Sequence, residues 1–203
     1  MIKVKLCGLT RLCDIAWTNE AQPDYAGFVF AGTRRRVSDE TARTLRQHLD
    51  TAIPAVGVFV DEPIDHIVSL VRAGTIQMVQ LHGHEDETYI RSLRQVAAVP
   101  VIQAFAIRRE DDMQRARDST ADYILLDQGA GGTGQRFDWR HTRHIDRPFF
   151  LAGGLDAAHI AEAMSFQPFA LDVSSGIETD GFKDRHKIME FMAQVRAVQE
   201  EKI

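Results

Sequence analysis

Two cysteines in 203 residues, Cys7 and Cys13, are too few for a disulfide framework, so the expected state is two free thiols in a cytoplasmic protein. No apolar run reaches membrane-spanning length, and no segment has the form of a secretory signal, which leaves no expected membrane partner. Positive charge is also scarce. The chain has 24 Lys and Arg against 29 Asp and Glu, a net charge of −5. The three consecutive arginines from Arg34 to Arg36 form too short a cluster to argue for nucleic acid, and a small anionic ligand suits them better. The spaced glycine triplet of a dinucleotide site is missing too, because the first apolar run leads into LCGLTR with a single glycine.

What is present is an ordinary globular composition, 44% hydrophobic and 26% charged, with no linker or compositional break. That length supports one large core, so residues 1–203 are expected to form a single domain. Short runs rich in Val, Ile and Phe alternate with longer amphipathic stretches, the pattern of repeated βα units. Strands are expected at Ile2 to Cys7, Tyr25 to Phe30, Ala55 to Val60, Met78 to Leu81, Val101 to Ala104, Tyr123 to Asp127, Phe149 to Ala152 and Ala170 to Val173. Helices are expected at Leu12 to Glu20, Asp39 to His48, Ile64 to Ala73, Glu85 to Val96, Asp111 to Asp118, Ala157 to Met164 and Asp184 to Gln199. After strand six only Trp139 to Thr142 is left for a helix, which should be short or distorted. Eight strands with a crossover after each describe an α/β fold, a compact (β/α)8 TIM barrel somewhat under the usual ~250 residues; an open doubly wound sheet is the alternative.

In such a barrel the functional side chains lie at or just beyond the C-terminal ends of the strands. That rule selects Lys5 and Cys7 from strand one, Arg34 to Arg36 after strand two and His82 after strand four. It also selects Asp127 at the end of strand six, Gly153 and Gly154 after strand seven, and Asp172, Ser174, Ser175 and Gly176 at strand eight. Glycines and hydroxyls in the last two loops suit a phosphate, since backbone N–H groups can approach its oxygens there; two glycine turns with a serine cap are the structural alternative. Asp127 ends an apolar strand and is followed by a loop with four glycines in six residues, so it is either a tuned carboxylate under a closing loop or a capping residue before a linker. Cys7 is either an apolar filler or a reactive thiol, and Lys5, two residues earlier on the same side of the pleat, favours thiolate. Cys13, within the first helix, reads as packing.

KLCGLT at 5–10, GFVF at 27–30, VGVFV at 56–60, QLHG at 80–83, LLD with GGTGQRFDW at 125–139, LAGGL at 151–155 and DVSSGIE at 172–178 together resemble the phosphoribosylanthranilate isomerase family of tryptophan biosynthesis, in order and spacing over nearly the whole chain. The resemblance implies a single-domain (β/α)8 barrel with no metal or organic cofactor. It also implies an Amadori rearrangement of N-(5-phosphoribosyl)anthranilate to 1-(2-carboxyphenylamino)-1-deoxyribulose 5-phosphate. By resemblance Asp127 is the general acid and Cys7 the general base, with Lys5 in support.

Ring opening needs a proton on the ring oxygen, and moving the carbonyl needs a proton removed beside the imine, so one acid and one base suffice. The phosphate is expected on Gly153, Gly154, Ser175 and Gly176. Arg35 best matches the family's arginine for the anthranilate carboxylate, although Ala31, Gly32 and Thr33 replace the usual Pro and Ser before it and Arg34 or Arg36 remain alternatives. His82 matches a family histidine near the substrate, or is a satisfied strand-end histidine. The glycine loop is expected to cover the imine and help hold Asp127 protonated. Other readings are a related aminoaldose isomerase that also takes the histidine-pathway substrate, and a non-catalytic phosphate-binding barrel. The expected partner is a small phosphorylated substrate, and the protein a monomer or homodimer.

Overall fold

The computed structural model describes residues 1–127 and 139–201. Eight parallel strands close into a barrel in chain order: β1 (Lys3–Cys7), β2 (Tyr25–Val29), β3 (Ala55–Phe59), β4 (Met78–Leu81), β5 (Val101–Ala106), β6 (Tyr123–Asp127), β7 (Phe149–Leu151) and β8 (Ala170–Val173). β1 closes the ring on β8, with Lys5 opposite Asp172. The open-sheet alternative is therefore excluded. The helices are α1 (Leu12–Ala21), α2 (Asp39–His48), α3 (Ile64–Arg72), α4 (Glu87–Val96), α5 (Glu110–Asp118), α6 (Ile160–Ser165) and α7 (Arg185–Glu200).

Helix starts follow local chemistry. Ser38 accepts from the Thr41 amide at 3.1 Å, Asp86 from Tyr89 at 2.9 Å and Asp184 from His186 at 2.8 Å, each satisfying an amide that the first turn leaves open. The short helix expected after strand six is a 3-10 turn, Trp139–His144. The helix expected from Ala157 is divided into a 3-10 turn, Ala157–His159, and α6. One element was not anticipated: β9 (Glu178–Thr179) and β10 (Phe182–Lys183) form a small antiparallel hairpin after β8. The glycine loop lies within residues 128–138, outside the described residues, and so does its expected role as a cover.

The period of two along each strand separates two apolar layers. Outward residues such as Leu6, Phe28, Phe59, Val79, Leu126 and Leu171 pack under the helices. Inward residues including Tyr25, Val56, Met78, Ile102, Leu125 and Phe150 fill the lower barrel. Above them the inward row turns polar, with Lys5 fully buried. Cys13 is exposed, contrary to its reading as a packing residue. The buried side of α1 carries Asp14, Ile15, Thr18 and Ala21, and Cys13 falls off that face. Asp14 is buried because the amides of Thr10 and Arg11, both at 2.9 Å, donate to its carboxylate.

Candidate functional site

Cys7 is the last inward position of β1, and Gly27 stands opposite it on β2. A β-carbon on Gly27 would lie 2.8 Å from Cys7 Sγ, so glycine there makes room for the thiol. Burial pushes the Cys7 thiol above its ordinary value, while Lys5 and Lys183 pull it down without cancelling that effect. The expectation that Lys5 favours thiolate is right in direction, but desolvation outweighs it. Lys5 itself donates to Asp172 Oδ1 at 2.9 Å and to Gln80 Oε1 at 2.8 Å.

From Gln80 the polar row continues across the mouth. Gln80 Nε2 lies 2.9 Å from His82 Nδ1, and His82 Nε2 lies 3.9 Å from Asp127 Oδ2. Burial lowers the His82 pKa, against the upward pull of Asp127 and Asp172. His82 is fixed from behind as well: its amide donates to Phe59 O at 2.8 Å, and Glu85 accepts from the amides of Asp61 and Gly83, each at 2.7 Å. The loops after β3 and β4 are thereby tied to one carboxylate.

Among the three arginines only Arg35 turns inward; its side chain is 14% exposed, against 54% for Arg34. The Arg35 stem crosses Gly8, where a β-carbon would stand 2.5 Å from Arg35 Cδ. Its Nε and Nη2 donate to Glu178 Oε1 and Oε2 at 2.7 and 2.9 Å, a side-on fork that leaves Nη1 pointing away from the pair. Lys183 donates to Glu178 Oε1 at 2.7 Å and to Ser174 O at 2.9 Å, and Ser174 Oγ donates to Cys7 O at 3.0 Å. Burial alone would raise the Glu178 pKa, but hydrogen bonds from Arg35 and Lys183 bring it down to about 2.

The loops after β7 and β8 meet. Gly153 and Gly154 adopt φ of 85° and 66°, and a β-carbon on Gly176 would lie 1.8 Å from Leu155 O. Only glycine allows that approach, and Ser175 opens the short turn Ser175–Ile177 beside it. Lys5, Cys7, His82 and Asp127 thus converge on one mouth, Gly153, Gly154, Ser175 and Gly176 line one side of it, and Arg35 reaches in from β2. Sequence reasoning missed Gln80, Glu178 and Lys183. Gln80 was within reach of the alternation rule, two residues before His82, whereas the other two belong to the unanticipated hairpin.

The family profile for N-(5'-phosphoribosyl)anthranilate (PRA) isomerase matches residues 4–194. An N-(5'-phosphoribosyl)anthranilate isomerase of Endomicrobium trichonymphae is 45% identical over 203 residues, covering 98% of this chain and 100% of that one. Among solved structures, phosphoribosyl anthranilate isomerase in complex with reduced 1-(o-carboxyphenylamino)-1-deoxyribulose 5-phosphate aligns with a TM-score of 0.84 at 34% identity, over 97% of this chain and 100% of that one. Monomers generated from the dimeric enzyme of Thermotoga maritima align with a TM-score of 0.84 at 35% identity, with the same coverage. A match of this extent means that the chain belongs to the N-(5'-phosphoribosyl)anthranilate isomerase family.

Proposed function

We propose that Cys7 and Asp127 carry the aldose-to-ketose isomerisation of N-(5'-phosphoribosyl)anthranilate in this barrel, Cys7 as general base and Asp127 as general acid. The activity is that of its family, and it makes the protein an isomerase of tryptophan biosynthesis. Asp127 gives a proton to the ring oxygen as the C1–O bond breaks, and the anilino nitrogen supplies the pair that makes the imine. The Cys7 thiolate then takes the proton from C2, and the resulting enol ketonises as a proton returns at C1.

The observation that carries this reading is the register. Each residue is the last inward position of its strand, and the polar row Asp172, Lys5, Gln80, His82 runs between them. The phosphate is assigned to the amides and hydroxyl of Gly153, Gly154, Ser175 and Gly176, in support of which the two loops touch at Gly176. The aryl carboxylate is assigned to Arg35, whose Nη1 edge is turned away from Glu178. A cytoplasmic location and a monomeric or homodimeric state complete the reading.

The test is the loss of fluorescence of freshly made phosphoribosylanthranilate. Cys7→Ser and Asp127→Asn are each expected to lower kcat by at least ~100-fold, the scale of a lost acid or base, with the far-ultraviolet circular dichroism unchanged. Turnover near that of the wild type in either variant refutes that residue's role.

A further inference from the structure

The amide of Gln80 sits between two groups whose donor and acceptor roles are not interchangeable. Lys5 Nζ, 2.8 Å away, is an ammonium and can only donate, so the Gln80 oxygen faces it and the amide orientation is decided. Lys5 is held charged, since Asp172 and Cys7 raise its pKa despite burial. The Gln80 NH2 group must then face His82 Nδ1 at 2.9 Å. An NH2 group has only protons to offer, so Nδ1 accepts, and the ring proton of the neutral imidazole lies on Nε2. That is the nitrogen directed at Asp127 Oδ2, 3.9 Å away.

We propose that Gln80 is a positioning residue for the isomerisation: clamped by Lys5, it selects the Nε2–H tautomer of His82 and aims that donor at Asp127. This deepens the assignment of Asp127 as the acid and rests on it. A neutral donor beside Asp127 has a specific use. Once Asp127 has released its proton to the ring oxygen, Nε2–H stabilises the carboxylate left behind. The gap of 3.9 Å is longer than a hydrogen bond, so the donor is aimed at Asp127 without being bonded to it. An imidazolium would instead hold Asp127 ionised before the reaction begins, leaving no proton to give. Burial disfavours the imidazolium, as does Lys5, and the pKa stays lowered although the acidic side chains of Asp127, Asp172 and Glu85 also face the ring. Glu85 and the Phe59 carbonyl fix the backbone around His82, so the tautomer is presented in one direction.

The test is a nitrogen-15 spectrum of the histidine side chains, with His82 assigned by its loss in His82→Asn. The wild type is expected to show Nδ1 unprotonated and Nε2 protonated throughout the neutral range, without addition of substrate. Gln80→Glu presents an acceptor to Nδ1 and is expected to move the ring proton there. Gln80→Met, of similar length and without hydrogen bonds, is expected to give a mixed tautomer. In both variants kcat is expected to fall roughly 10- to 100-fold, the scale seen for partners that orient metal-bound histidines, with KM little changed. A protonated Nδ1 in the wild type overturns the proposal, as does wild-type kcat in Gln80→Met with the ring signature lost. The wild-type spectrum decides the tautomer even if a variant fails to fold, and it is independent of whether Asp127 is the acid.

Discussion

Burial and two ammonium groups act on the Cys7 thiol in opposite directions, and burial prevails. A thiol that keeps its proton near neutrality reacts through a minor thiolate fraction, so its reactivity should climb with pH. In a Cys13→Ser background, which removes the exposed thiol, the alkylation rate of Cys7 by iodoacetamide is expected to rise along a titration whose midpoint lies above that of an ordinary cysteine. A midpoint at or below that value would mean that Lys5 and Lys183 dominate after all. The placement of Cys7 and Asp127 at the barrel mouth was legible from sequence because each closes an apolar strand. The partners of Lys5 were not. Gln80 and Asp172 lie 75 and 167 positions away, and only the closed register brings them together.

At the scale of elements, the hairpin β9–β10 locks Arg35 in place, and its one legible signal was the Asp180-Gly181 turn. Both residues have positive φ, 50° and 85°, as a two-residue hairpin turn demands. Strands of two residues carry no alternation, so the apolar pattern that revealed the eight barrel strands was silent here. Glu178 opens this hairpin and joins it to Arg35 and Lys183. Its pKa of about 2 in the folded chain lies below the 4.5 of an unperturbed glutamate. The stability this shift confers is therefore fully present above about pH 4.5 and is lost as pH falls toward about 2. Urea midpoints measured across that window should fall in the wild type and fall less in Glu178→Gln. At neutral pH the same variant should lose about 3–5 kcal/mol, because it leaves buried Lys183 and Arg35 without their carboxylate. Equal acid slopes for the two proteins would assign the loss to other carboxylates.

For the molecule as a whole, the count of strands and crossovers was enough to name the barrel, because each apolar run has one place in a closed parallel sheet. What holds the ring shut is less visible in the pattern. β1 and β8 pair across nearly the full length of the chain, and α7 packs against α1 beside that seam. Gln199 donates to Ile2 O at 2.7 Å and Arg196 to Ala21 O at 2.6 Å, so the last helix clamps the first strand and first helix. Ile188, Phe191, Met192 and Val195 form its buried face. At roughly 1.5–3 kcal/mol for each buried side chain, that face contributes roughly 6–12 kcal/mol. A domain's entire stability is about 5–15 kcal/mol, so the barrel should not survive without α7. A chain ending at Asp184 is expected to show no cooperative thermal transition. In the full chain, Phe191→Ala should cost about 3–5 kcal/mol and, at about 2–4 °C per kcal/mol for a chain of this size, lower the melting temperature by roughly 6–20 °C. A cooperative transition in the truncated chain would show that the eight strands and remaining helices close the barrel without the clamp.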